Sequence, residues 1–296
     1  MLKRASKLAI GLGLCAISAQ AKQWYESYDF SQVSSQVVSF GDDTILRGKS
    51  VLMGQGQDQH SAYYDSGSMN LRFVAKGRIN FNGTPWNGSH GGNSNIKSEV
   101  LLNSAPSLAW AYKGSWKDPR DFDYAPLPHH YVKFLGTYRH NEQVVFSYTV
   151  GDQKSAILEM PAMKDGAFVR HFNIAIAKEE LLLKVLDSPE PSLQLNTTSM
   201  KIEKEGTIQF IRIPAGSKNL KFAISYKKGS AAPSLAAMDL NALTQGGKSR
   251  WPQTVKVQGK VNDFESDIFV VDQIPIPERN PWDSKIRFGG FDYFSD

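Results

Sequence analysis

Residues 71–82 alternate apolar and polar side chains with a period of two. Leu71, Phe73, Ala75, Gly77, Ile79 and Phe81 fall on one side, and Arg72, Lys76, Arg78, Asn80 and Asn82 on the other. Val74 is the one apolar residue on the polar side. A helix, which repeats about every 3.6 residues, scatters such a pattern around its surface, whereas a strand keeps it on one face. The stretch therefore predicts a half-buried β-strand or a tight pair of strands, with Gly77 at a bulge or bend. Two turn signals follow, Asn82-Gly83 and Asn87-Gly88, and then Ser-His-Gly-Gly. The strand thus carries Trp86, Asn87 and His90 to one edge of a sheet.

The same short period recurs along the chain. Residues 44–53, 132–138, 144–150, 157–160, 168–176, 206–213, 220–226 and 255–261 read as strands. A hairpin turn is expected at His140, Asn141 and Glu142. Residues 178–186 fit a short helix or a strand, and the β-rich surroundings favour strand. Residues 234–243 read as one short helix. Residues 117–131 hold three prolines and no usable period, which predicts a long ordered loop of the kind that lines a site. Many short antiparallel strands spaced by turn signals predict an all-β sandwich.

The N-terminus reads as a secretory signal peptide, residues 1–21. Lys3, Arg4 and Lys7 precede an apolar run over 8–17, and Ala19-Gln20-Ala21 has the small-x-small form of a cleavage site. Export to the periplasm or the extracellular space is expected. The formal charge of +5, less these three cations, leaves +2, so nucleic acid is not an expected partner. The single cysteine, Cys15, lies inside the same segment, and Leu14 before it is too large for a lipoprotein box. The mature chain then has no disulfide, thiolate nucleophile or cysteine-bound metal, and no Cys-x-x-Cys-His haem site. No further apolar run approaches a membrane span. Residues 22–43 read as an aromatic lead-in docked on the body, 44–245 as the sandwich domain, and 246–296 as a linker followed by the start of another fold. An aromatic strand launched over 286–294, two residues before Asp296, leads us to expect a piece of a longer protein.

The order of signals YDSGSMNLRF, FNGTPWNGSHGG, DPRDFDYAPLPHHY and GTYRHNEQVVFSYTVGDQKSAILEMP resembles a family of exported domains of unknown function. That family is common in large bacterial proteins with a c-type cytochrome domain further along. The tail, GGKSRWPQTVKVQGKV and IPIPERNPWDSKIRFGGFDYFSD, resembles the family's lead-in to a β-propeller like those of sugar dehydrogenases. The resemblance covers roughly residues 44–296. It implies a propeller that barely begins within this chain, and haem only in a downstream domain. It supplies no catalytic residues to transfer.

Several constellations offer chemistry. Trp86, Asn87 and His90 suit a sugar-binding rim, with an aromatic face for the apolar side of a pyranose and polar groups for its hydroxyls. The plainer reading is that Trp86 packs on the sandwich edge while His90 hydrogen-bonds the loop backbone. Asp65 and Arg72 suit a structural ion pair or a grip on an anionic ligand. Arg120 and His129, in the 117–131 loop, complete the candidate ligand-binding set. His129-His130 beside Asp118, Asp121 and Asp123 is the one cluster of metal-type ligands, but it lacks a zinc or calcium spacing, and no metal is expected. The same aspartates include candidates for the carboxylate pair of glycoside hydrolysis. No nucleophile elbow, P-loop or dinucleotide fingerprint is present.

The expectation is a non-catalytic exported module of a larger propeller-containing, cytochrome-linked protein, without a cofactor of its own. It would bind a carbohydrate or dock its own downstream propeller. A carbohydrate-active hydrolase using an Asp/Glu pair is the alternative, and a purely structural spacer is the third reading.

Overall fold

The computed structural model describes residues 33–54, 58–78, 80, 94–122, 125, 127–188, 193–197, 199–248, 252–261, 270–283 and 285–286. The chain divides into two compact units, up to Gln245 and from Gly246 onward.

The first unit is all-β. Its first sheet takes β1 (Val33–Phe40), β2 (Asp43–Met53), β3 (His60–Asp65), β4 (Asn70–Lys76), β5 (Ser94–Asn95) and β6 (Val100–Asn103), in the order β5-β1-β2-β3-β4-β6. The second takes β7 (Val132–His140), β8 (Gln143–Val150), β9 (Ser155–Lys164), β10 (Ala167–Ile176), β12 (Leu193–Asn196) and β15 (Lys218–Tyr226), in the order β12-β15-β10-β9-β8-β7. A third, smaller sheet has β14 (Ile208–Ile213) between β11 (Leu181–Asp187) and β13 (Ile202–Glu205). All pairings within these sheets are antiparallel except β5 with β1.

Local sequence sets the hairpins. Between β9 and β10 only Asp165 and Gly166 separate the paired residues Lys164 and Ala167, and both take positive φ, 53° and 70°. That is a two-residue turn of the mirror-image type, which matches strand twist and favours Asp-Gly. The expected β7–β8 hairpin turns at Asn141, also left-handed at φ 54°.

One main core joins the three sheets. Val51, Tyr64 and Val74 come from the first, Phe146, Phe172 and Phe222 from the second, and Leu183, Ile211 and Ile213 from the third. Phe172 and Phe222 stack with ring centroids 5.0 Å apart. Full burial of each such side chain stabilises by about 1.5–3 kcal/mol. A smaller cluster, Val38, Ile45, Tyr63, Phe73, Ala75 and Ile96, covers the other face of the first sheet.

That second cluster corrects the reading of the alternating stretch. β4 is buried from Asn70 through Ala75 and ends at Lys76, before Gly77 turns the chain at φ 82°. Phe73 and Ala75 pack in the smaller cluster, while Val74, on the nominally polar side, enters the main core. A strand between two packed layers has no solvent face, so Arg72 is buried with it.

Other readings shift for physical reasons. Residues 33–40, read as lead-in, form β1 because they pair with β2. The strand favoured for the ambiguous stretch 178–186 is borne out over 181–186, within β11 and paired with β14. β13 carried no clear apolar period. The expected helix over 234–243 shrinks to a single 3-10 turn, Asn241–Thr244. The side-chain amide of Asn173 donates to Met238 O (2.7 Å) and accepts from Leu240 N (2.8 Å), replacing the bonds that a helix would have made. Leu235 and Leu240 thereby cover the outer face of the second sheet.

In the second unit residues 255–261 are not a strand. The described residues there show one isolated antiparallel bridge, Lys260 with Gln273. Among the described residues no helix is long and apolar enough to cross a membrane.

Candidate functional site

A cavity of about 350 Å³ opens where β2, the β3–β4 turn and the segment after β6 meet. Asp43 and Arg47 come from β2, Asp65 ends β3, and Asn70 and Arg72 start β4. Ser107, Asp118 and Arg120 come from the long connection between β6 and β7. Asp65, Arg72 and Arg120, three of the residues nominated from sequence, therefore share one cavity.

Their pairing differs from the expected one. Asp65 does not clamp Arg72. Its carboxylate accepts from Gly67 N (2.9 Å), Ser68 Oγ (2.8 Å) and Arg120 Nη2 (3.2 Å). Gly67 leaves room for this contact, since a Cβ there would lie 2.9 Å from Arg120 Nη1 and push the guanidinium aside. Arg120 also donates through Nε to both oxygens of Asp118 (2.9 and 3.0 Å). Burial tends to push the Asp118 carboxyl up, but the hydrogen bonds and charge of Arg120 prevail and hold it below the usual range. The general acid of a glycoside hydrolase needs the opposite shift, so Asp118 is poorly suited to that role. Arg72 pairs instead with Asp43 and donates through Nε to Ser104 O (2.9 Å).

Beside the cavity lies a residue that the sequence reading passed over. Lys184 of β11 is 2 % exposed and forms no ion pair among the described residues. Its Nζ donates to Ala105 O (3.2 Å) and makes a short contact with Ser107 Oγ. A register shift between Lys184 and Leu186 marks a bulge in β11, a device that re-aims side chains. Burial lowers the Lys184 ammonium from 10.5 to about 7; Asp187 opposes this, and Arg72 and Arg170 reinforce it.

A second buried cluster lies in the main core. Glu159, fully buried, accepts from Tyr64 Oη (2.9 Å) and Arg170 Nε (2.8 Å) on Oε1, and from Tyr148 Oη (2.7 Å) on Oε2. Trp110 Nε1 donates to Tyr148 Oη (3.3 Å). Burial and then the charge of Glu159 push both tyrosine hydroxyls well up. A hint was legible in the sequence: Glu159, Arg170 and Lys184 are each a lone charge within an apolar strand, in AILEMP, FVRHF and LLLKVL. Ser107 carried no comparable signal.

Trp86, Asn87 and His90 lie outside the described residues, as does Asp123. His129 is exposed and does not line the cavity. Neighbouring His130 packs at a tilt against Tyr112 and Tyr131, with ring centroids 4.9 and 4.8 Å apart. Among the described residues no group of three or more His, Cys, Asp and Glu is placed to hold a metal ion.

The model of a domain of unknown function, DUF6797, matches residues 62–159, from β3 into β9. No curated protein and no solved structure matches the chain. The matched segment carries Asp65, Arg72, Ser107, Arg120 and Glu159, while Lys184 and Arg170 lie beyond it.

Proposed function

We propose that the chain is an exported recognition module that binds a hydroxyl-rich ligand of carbohydrate type in the cavity between β2 and the β6–β7 connection. The observation that carries this reading is the gathering of Asp65, Arg72 and Arg120 with Asp43 in one cavity as opposed, fixed ion pairs. A hydroxyl both donates and accepts, so a wall of held carboxylates and guanidiniums offers it both partners. Pairing cancels most of the local charge, which suits a neutral polar body better than a strong anion. Fixed side chains also lose little freedom on binding.

The module is further proposed to belong to a larger protein with a downstream propeller and cytochrome, in the periplasm or outside the cell. This part rests on the signal-peptide pattern and on the resemblance of the tail. A glycan array tests the recognition reading. Binding to a defined set of glycans, weakened about tenfold or more by Asp43→Ala and by Arg47→Ala, is the expected result. An array without hits for the folded chain would remove the reading.

A further inference from the structure

Lys184 and Ser107 have a relation that recognition alone does not require. A buried lysine ordinarily finds a carboxylate, because an unpaired charge in low dielectric is costly. Lys184 has only a carbonyl and a hydroxyl as hydrogen-bond partners among the described residues, and the hydroxyl belongs to a side chain that lines the cavity. We propose that Ser107 and Lys184 form a nucleophile–base dyad that hydrolyses an O-acyl ester on the ligand held in this cavity.

The contact places the two groups for such a dyad: Ser107 Oγ, which donates to Leu108 O (3.3 Å) while Lys184 is an ammonium, turns its proton to Nζ once the amine is neutral. A serine hydroxyl is a weak nucleophile unless an adjacent base removes its proton. A neutral amine in contact with Oγ can accept that proton, and a lysine desolvated until it titrates near neutral pH is in that state for much of the time. Burial does this for Lys184, with Arg72 of β4 and Arg170 of β10 adding repulsion and Asp187 of its own strand opposing it. Gln209, which faces the neighbouring register position on β14, is uncharged.

The steps balance. Ser107 Oγ bonds to the acyl carbon as its proton passes to Lys184 Nζ. The bond from that carbon to the leaving oxygen then breaks, and the Lys184 ammonium returns the proton to the departing alkoxide. Water attacks the acyl-serine with Lys184 again as base, releasing a carboxylate and free Ser107. The net reaction is ester plus water to acid plus alcohol, with no co-reactant. The body of the substrate follows from the recognition reading; the dyad itself does not depend on it.

The test uses the whole chain and a fluorophosphonate probe, which marks activated serines and needs no glycan, so the two readings fail independently. The expected result is a single adduct mapped to Ser107 by mass spectrometry, absent in Ser107→Ala. Its rate should rise with pH through about 7. Lys184→Met should slow it about 100-fold or more. Lys184→Arg guards against a merely structural role, since arginine keeps a cation and donors for Ala105 O and Ser107 Oγ but cannot accept a proton. Labelling lost in a folded Lys184→Arg chain supports the base; labelling retained there overturns it. Absence of any Ser107 adduct in the folded wild-type chain between about pH 6 and 9 also overturns the proposal.

Discussion

Two buried charged clusters in this fold handle the same physical problem in opposite ways. In the main core, Glu159 and Arg170 neutralise each other, and two tyrosine hydroxyls saturate the carboxylate. At the cavity edge, Lys184 has no counter-ion among the described residues and is instead driven toward its neutral form. The first cluster is closed and rigid, tying strands of two sheets together. The second is open to a cavity and stays titratable. Burial of a charge therefore does not by itself mark a site. What distinguishes the second cluster is that desolvation is only partly offset, by Asp187, next to a space that a ligand can enter.

The sharpest break of this comparison is Glu159→Gln. It leaves Arg170 charged in the core with Nη2 already lacking a hydrogen-bond partner among the described residues. A loss of about 3–5 kcal/mol is expected, read from the midpoint of urea unfolding. A loss under about 1 kcal/mol would mean that the core cluster is not the closed ion pair described.

The next effect is in pH. Lys184 binds a proton less readily folded than unfolded, so the unfolded chain carries the extra proton between about pH 7 and 10.5. Stability contributed by this position should rise as pH climbs through that window and be lowest below about 7. Lys184→Met, similar in length and uncharged, should flatten this slope in urea titrations at successive pH values. Equal slopes in the two chains would contradict the depressed titration.

A third case lies on the outer face of the second sheet. His171 is 3 % exposed, its Nδ1 has no partner among the described residues, and burial followed by the charge of Lys164 lowers it from 6.5 to about 4. Met160 and Ala223 oppose it in the ladders on either side. The folded pKa is again the lower one, so stability is full above about pH 6.5 and falls as pH drops toward 4. His171→Phe should remove that acid-side loss while leaving the Lys184 window intact; thermal melts at about pH 4.5, 7 and 10 separate the two. The smallest effect is expected at the surface. Lys228→Ala, which breaks a half-exposed pair with Glu99, should shift stability by about 0.5 kcal/mol or less.

The sequence made the architecture largely legible, because turn chemistry and period two are local properties. The hairpin at Asn141 and the strands 144–150, 168–176 and 220–226 follow from residues within a few positions of each other. The pattern failed where burial came from both sides. β4 looked half-exposed because Arg72 and Lys76 sat on one side, yet Arg72 is buried against Ser104 and Asp43. It failed again over 234–243, where the amide of Asn173, more than sixty residues earlier, holds the backbone out of a helix.

For the site, the residue types were legible and the partners were not. Asp65 and Arg72 could be nominated as opposite charges on a strand face, and Arg120 because it lies in the long proline-rich loop. Which carboxylate meets which guanidinium depends on contacts between distant parts of the chain. Asp65 meets Arg120 across 55 positions, Lys184 meets Ser107 across 77, and Tyr64 meets Glu159 across 95. The sequence alone determined that the chain makes strands, where several of them turn, and that a few charges interrupt apolar runs. Only the tertiary structure decided which of those charges would be neutralised and which left to titrate, because desolvation and pairing belong to the packed fold and not to any local pattern.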